Sequence, residues 1–147
     1  MLALLAAGAA SAQQRLSVQH YGPPQIAGQP PLPFSSAVRA GDMLYLSGQI
    51  GIGADGRLPE GIEAQTRQAM ENIAAVLRSA GRSWDDVIHC TAMLDHMSDW
   101  PAFNRVYVTY FRPGRLPARS ALGADGLALG ALIEIECQAW AGRTTRR

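Results

Sequence analysis

The sequence has no lysine: all 13 of its basic residues are arginine. Schiff-base chemistry from a lysine amine is therefore excluded. Cysteine is almost as scarce, with Cys90 and Cys137 the only two, and the histidines His20, His89 and His96 are scattered. That set makes no zinc-ligand spacing, so no metal site is expected. There is no dinucleotide fingerprint, no Walker loop and no nucleophile elbow, and Ser47-Gly48-Gln49 carries no local sign of a triad serine. No stretch reaches the roughly 18 consecutive apolar residues of a membrane helix. Charge is sparse, at 17% of residues with a net charge of +1. That balance argues against a strongly basic nucleic-acid binder and against an acidic tail.

What remains is a globular composition, 147 residues of which 48% are hydrophobic. Such a chain is long enough to build a core without disulfides or a metal. Residues 1–12, MLALLAAGAASA, carry no charge and end in the small-x-small form Ala10-Ser11-Ala12. They resemble the end of a secretory signal peptide, although a basic leading region is missing. The expected organisation is a leader remnant over 1–12 and one domain over 13–147. The protein is then periplasmic or secreted if the leader is genuine, and cytoplasmic otherwise. The two cysteines fit either compartment. Both lie in apolar strand-like runs, and the simplest reading is two small buried hydrophobes. A disulfide would require their strands to be neighbours.

The order of elements follows from periodicity. Five prolines and two glycines in YGPPQIAGQPPLP, residues 21–33, predict an extended loop. A strand over 34–38, a turn at Ala40-Gly41-Asp42 and a strand over 43–50 predict a hairpin. Ile62, Ala69, Met70, Ile73, Val76, Leu77 and Ala80 share one helical stripe, with Glu63 in the first turn and Gly81 suited to a left-handed cap. This predicts a helix over 62–80. A strand over 87–94 follows. Then comes a second helix, capped by Ser98, tolerating Pro101 and carrying Trp100, Phe103, Tyr107, Tyr110 and Phe111. Short strands over 118–122 and 131–140 end the domain. In the last, Ile133, Ile135, Cys137 and Ala139 alternate with Glu134, Glu136, Gln138 and Trp140. The class is α+β: a mixed sheet with two helices on one face, whose other face needs a second subunit to cover it.

Three features could carry chemistry. Arg119, in Pro117-Ala118-Arg119-Ser120, sits where a loop enters a strand, and its fork suits a carboxylate held bidentately. It could equally be a surface arginine at a strand end. Glu134 and Glu136 share one strand face, which is either solvated or closes around one carboxylate whose pKa burial would raise. A structural pair between Arg119 and a glutamate would instead lower it. Gly48, inside a strand, costs stability and lets a ligand or backbone approach Ser47-Gly48-Gln49-Ile50. Asn104 is a polar support from the second helix, or a surface residue.

Taken together, these segments resemble the reactive intermediate (imine/enamine) deaminase family, the RidA/YjgF-like proteins. The matching pieces are Pro33-Phe34-Ser35, AVRAGDMLYLSGQIG at 37–51, IEAQTRQAMENIAAVLRSAG at 62–81, DVIHCTAMLDHMSDWPAFNRVYVTYF at 86–111, LPARSAL at 116–122 and ALIEIECQA at 131–139. The resemblance implies a chorismate-mutase-like fold assembled as a homotrimer with clefts between subunits. It implies hydrolysis of 2-imino acids, or their enamine tautomers, to 2-oxo acids and ammonia, without cofactor or metal. By the same resemblance Arg119 binds the substrate carboxylate, Glu134 orients water, and Ser47, Gly48 and Asn104 line or support the cleft. Partners are then a small imino or oxo acid and further copies of the chain, with no nucleic acid and no membrane.

Two positions depart from the family pattern. Phe34 stands where a tyrosine is common, which removes a hydroxyl. Ala121 stands where a cysteine is common, which widens the cleft and makes it more apolar. Both imply a divergent substrate preference. The alternative they raise is a non-catalytic module of the same fold that binds small carboxylates or a partner. A ribonuclease role, assigned to some relatives, would need an interleaving of aromatic and basic residues that this sequence lacks.

Overall fold

The fold is that of a computed structural model, which describes residues 17–24, 28 and 30–142. The leader expected at 1–12 lies outside the described residues. Seven strands form one sheet: β1 (Val18–Tyr21), β2 (Ala37–Ala40), β3 (Met43–Leu46), β4 (Gln49–Ile50), β5 (Val87–Leu94), β6 (Ala118–Gly123) and β7 (Ile133–Trp140). Their order is β1-β2-β3-β7-β5-β6, with β4 paired to β7. Every pairing is antiparallel except β5 with β6. The sheet is therefore mixed, as expected, and the helices α1 (Ile62–Ser79) and α2 (Trp100–Tyr107) cover one face.

The core lies between them. Met70, Ile73 and Leu77 of α1 and Phe103 of α2 are fully buried against Leu44, Cys90, Leu94, Ile133 and Ile135. The helix over 62–80 is observed as Ile62–Ser79, and its end is set by Gly81, whose φ is 67°. Gly81 donates its N–H to the Arg78 carbonyl and Arg82 donates to that of Leu77. This is the paired closure that a left-handed residue after a helix permits. The alternation of β7 is realised without exception, with Ile133, Ile135, Cys137 and Ala139 all buried.

Four local expectations need correction. The strand expected over 34–38 is β2, which begins at Ala37, not Phe34. Pro31 and Pro33 withhold donors from any ladder, and Phe34 stays 45% exposed with no core to bury it. The strand over 43–50 is broken at Ser47-Gly48 into β3 and β4. Tyr45 pairs with Gln138 but Gln49 pairs with Ile135, so the β3–β4 segment carries one residue more than β7 there, a β-bulge. Ser98 does not cap α2. It lies in a 3-10 turn, Met97–Asp99, and Asp99 is the cap position. Finally, β1 forms where the sequence predicts no strand: its Val-Gln-His-Tyr run is an exposed edge strand with no apolar alternation.

The cysteines also correct the simplest reading. Cys90 and Cys137 face each other across β5 and β7 with Cα atoms 4.1 Å apart and are joined as a disulfide. They are buried, as expected, but bonded. The uncovered face of the sheet presents Tyr45, Leu122 and Trp140, each more than two-fifths exposed.

Candidate active site

The bulge at Ser47-Gly48 is held from behind. Ser47 donates its backbone N–H to the Ser36 carbonyl and its Oγ to the Ser35 carbonyl, at 3.0 and 2.7 Å. Ser47 is thus a structural tie between the bulge and the loop carrying Phe34. Gly48 then passes directly against Glu134. A Cβ on Gly48 would overlap the Glu134 carboxylate, so no larger residue fits without moving that group. Glu134 alternates with buried Ile133 and Ile135, and so lies on the face away from the helices. Burial raises its pKa above the ordinary 4.5, and the neighbouring charge of Glu136 raises it further. Of the two opposing effects weighed from sequence, desolvation prevails.

Glu134 stands in a cleft of about 640 Å³ that runs beside β4. Phe34, Ser36 and Gly48 form part of its wall, and Asn72 and Val76 of α1 form another part. The position of β4 relative to α1 is fixed by Asn72, which donates from Nδ2 to the carbonyls of Ile50 and Ile52, both at 3.0 Å, and accepts from Gln68 at 2.9 Å. Buried Gln65 ties the same helix to two loops, donating to the Pro59 carbonyl and accepting from the Leu132 N–H at 2.8 Å. Sequence reasoning missed Asn72 and Gln65. The signal available was faint: a polar pair, Gln68 and Asn72, four residues apart beside an apolar stripe.

Arg119 lies elsewhere. It stands on edge strand β6 in register with Cys90, and its guanidinium carbon sits over the rings of Trp100, Phe103 and Tyr107 at 5.2, 5.1 and 4.7 Å. All three rings come from α2, so Arg119 is on the helix-bearing face. Among the described residues it makes no ion pair, and aromatic faces rather than a carboxylate stabilise its charge. Asn104 falls in the same helical stripe, four residues after Trp100 and three before Tyr107. Its Oδ1 is buried without a partner, and so is the Tyr107 hydroxyl. Burial pushes the Tyr107 phenol up to about 12, against the opposing influence of Arg119, so its ring remains a neutral π-face. Ala121, two residues on from Arg119, packs against the core on that side.

The chain therefore brings together Phe34, Gly48 and Glu134, and separately Arg119 and Asn104. Within one protomer Arg119 projects from β6 to the helix-bearing face, whereas Glu134 projects from β7 to the other. No structural pair forms between Arg119 and Glu134. Each charge is left unmatched and partly desolvated, which is the arrangement expected of a group that awaits an external partner.

Known proteins resemble the chain over most of its length. The family model described as Endoribonuclease L-PSP matches residues 26–141. A RutC family protein of Pyrococcus horikoshii is 44% identical over 110 residues, covering 74% of this chain and 86% of that protein. The 2-iminobutanoate/2-iminopropanoate deaminase of Mus musculus is 38% identical over 112 residues, covering 75% and 82%. Among solved structures, TdcF of E. coli with bound serine superposes with a TM-score of 0.75 at 28% identity, covering 84% of this chain and all of that one.

Proposed function

The chain belongs to the Endoribonuclease L-PSP family, the RidA/YjgF-like reactive-intermediate deaminases, and from that premise we propose that it hydrolyses reactive 2-imino acids to 2-oxo acids and ammonia. The observation that carries the reading is the pair of unmatched charges: a guanidinium on an aromatic bed and a desolvated carboxylate in a cleft. An imino acid needs one of each. Its carboxylate is a bidentate partner for Arg119, whose planar fork fixes the plane of the substrate. Its C2 is electrophilic once the imine nitrogen is protonated.

Glu134 then holds a water and accepts a proton from it as oxygen bonds to C2. The C–N bond breaks as nitrogen takes up the protons released by water. In balance, the iminium and one water give the 2-oxo acid and ammonium, with no redox change and no cofactor. Gly48 keeps the carboxylate free of a neighbouring side chain. Phe34 supplies an apolar wall with no hydroxyl, and Ala121 supplies no thiol. Both support a substrate preference of the chain's own.

Because Arg119 and Glu134 face away from each other in one protomer, the reading requires a second copy. We place the site at the seams of a homotrimer of chorismate-mutase-like form, where edge strand β6 of one copy brings Arg119 to the Glu134 cleft of the next. Mixing tests this directly. Arg119→Ala and Glu134→Gln chains alone should each lose about 100-fold or more of the activity. Co-expressed in equal amounts in a cyclic assembly, they should recover about a quarter of the wild-type sites. No recovery, together with a monomeric mass, would remove the shared site.

A second reading, a module that binds small carboxylates without turnover, is supported by the serine carried by TdcF and by the missing hydroxyl at Phe34. It predicts saturable binding of a 2-oxo acid with no ammonia release above the spontaneous rate. The name of the family model points to RNA, but a net charge of +1 offers little support for a phosphate track. The Cys90–Cys137 disulfide favours an oxidising compartment and hence export. Fractionation of cells making the full-length chain checks this, and a wholly cytoplasmic product would refute it.

A further inference from the structure

We propose that the cleft beside Glu134 accepts 2-imino acids with a large apolar side chain, and that Leu129 sets this preference; the proposal rests on the imine-hydrolysis reading. In one protomer the cleft measures about 640 Å³, more than the smallest 2-imino acids can fill, and the neighbouring copy that brings Arg119 closes its open side. Much of its lining is apolar: Leu32, Phe34, Ile50, Ile52, Val76 and Leu129. Glu134 is the one charged residue in its described lining. The polar groups that remain are largely engaged with the protein itself. The Asn72 amide is committed to the carbonyls of Ile50 and Ile52, and the Gln68 amide to Asn72. A polar substrate side chain would exchange water for few partners there, whereas an apolar one releases water from both surfaces.

Leu129 supplies an independent observation. In the 3-10 turn Ala128–Gly130, it has φ 58° and ψ 17°, and it is the only non-glycine residue with positive φ among the described residues. That conformation disfavours a leucine. Core burial does not explain it either, because Leu129 is 59% exposed. An apolar side chain in a strained conformation, mostly exposed at the wall of a cleft, gains little from burial within its own chain. Its contact surface becomes useful when an apolar group enters.

The test compares imines generated in solution by an amino-acid oxidase from leucine, phenylalanine and alanine, with 2-oxo acid release read above the spontaneous rate. The wild-type chain should favour the leucine- and phenylalanine-derived imines by about tenfold or more in kcat/KM. Leu129→Gly suits the backbone, so its thermal midpoint should hold or rise. Its preference for the large imines should nevertheless fall by about tenfold. A wild-type preference for the alanine-derived imine, or a preference unchanged in Leu129→Gly, overturns the proposal while leaving imine hydrolysis standing. If no imine is hydrolysed, the hydrolase reading fails and the comparison moves to binding. Equal affinities for 4-methyl-2-oxopentanoate and pyruvate would then overturn the apolar pocket, and a leucine-dependent difference would retain it.

Discussion

The two charged groups of the candidate site are prepared in opposite ways. Glu134 stands in a cleft where burial and a like-charged neighbour disfavour its ionised form. Arg119 lies on three aromatic faces that favour its cation without neutralising it. The carboxylate is made more basic, which suits a proton acceptor. The guanidinium is fixed in plane, which suits a carboxylate clamp. Placing them on opposite faces of one sheet prevents each from quenching the other inside a protomer. The difference teaches that one chain keeps both charges ready by holding them apart.

Charge removal should break the comparison most strongly, and differently on the two sides. Arg119→Ala should lower kcat/KM by about 100-fold or more and also lower the melting temperature, because the rings lose a contact worth about 1 kcal/mol. Glu134→Gln should lose a comparable share of activity in steady-state assays. Its melting temperature at neutral pH should hold or rise. The sign follows from the raised pKa: the stability linked to Glu134 is fully present below its unfolded value and is lost as pH rises through the folded one, and glutamine avoids that loss. A fall in stability for both variants would erase the distinction.

Gly48→Ala should come next, with a loss of roughly 10- to 100-fold in kcat, since the added Cβ displaces the Glu134 carboxylate. Phe103→Leu should act on the other side, raising KM several-fold through a looser Arg119 with kcat less affected; an equal fall in kcat would show that the ring does more than position the fork. The smallest effect is expected at Glu136. The acid limb of the activity profile should lie above pH 4.5, and Glu136→Gln should move it down only part of the way, because burial is the larger cause. A limb that does not move would exclude Glu134 as the titrating group.

Much of this was legible in the chain. The α1 stripe and the alternation of β7 are repeated patterns of apolar residues, and burial enforces them over many positions. Arg119, Glu134 and Gly48 stood out by residue type and strand position. The division of the site was not legible, because which sheet face β6 presents depends on its parallel pairing with β5, a long-range contact. The break after Leu46 was hidden since Ser47-Gly48 continues the local strand composition, and only the register with β7 reveals the extra residue. The cysteine pairing depended on which strands are neighbours. The left-handed Leu129 leaves no compositional trace, because leucine does not announce that conformation.

The Cys90–Cys137 bond has one further consequence for the sheet. A slip of β7 by a single position would turn Glu134 inward and bring Ile133 and Ile135 out to solvent. The sulfur link between β5 and β7 forbids that slip. It therefore acts as a register lock on the very strand that carries the carboxylate, so that even a breathing or partly unfolded domain can reclose only with the working side chain pointing outward.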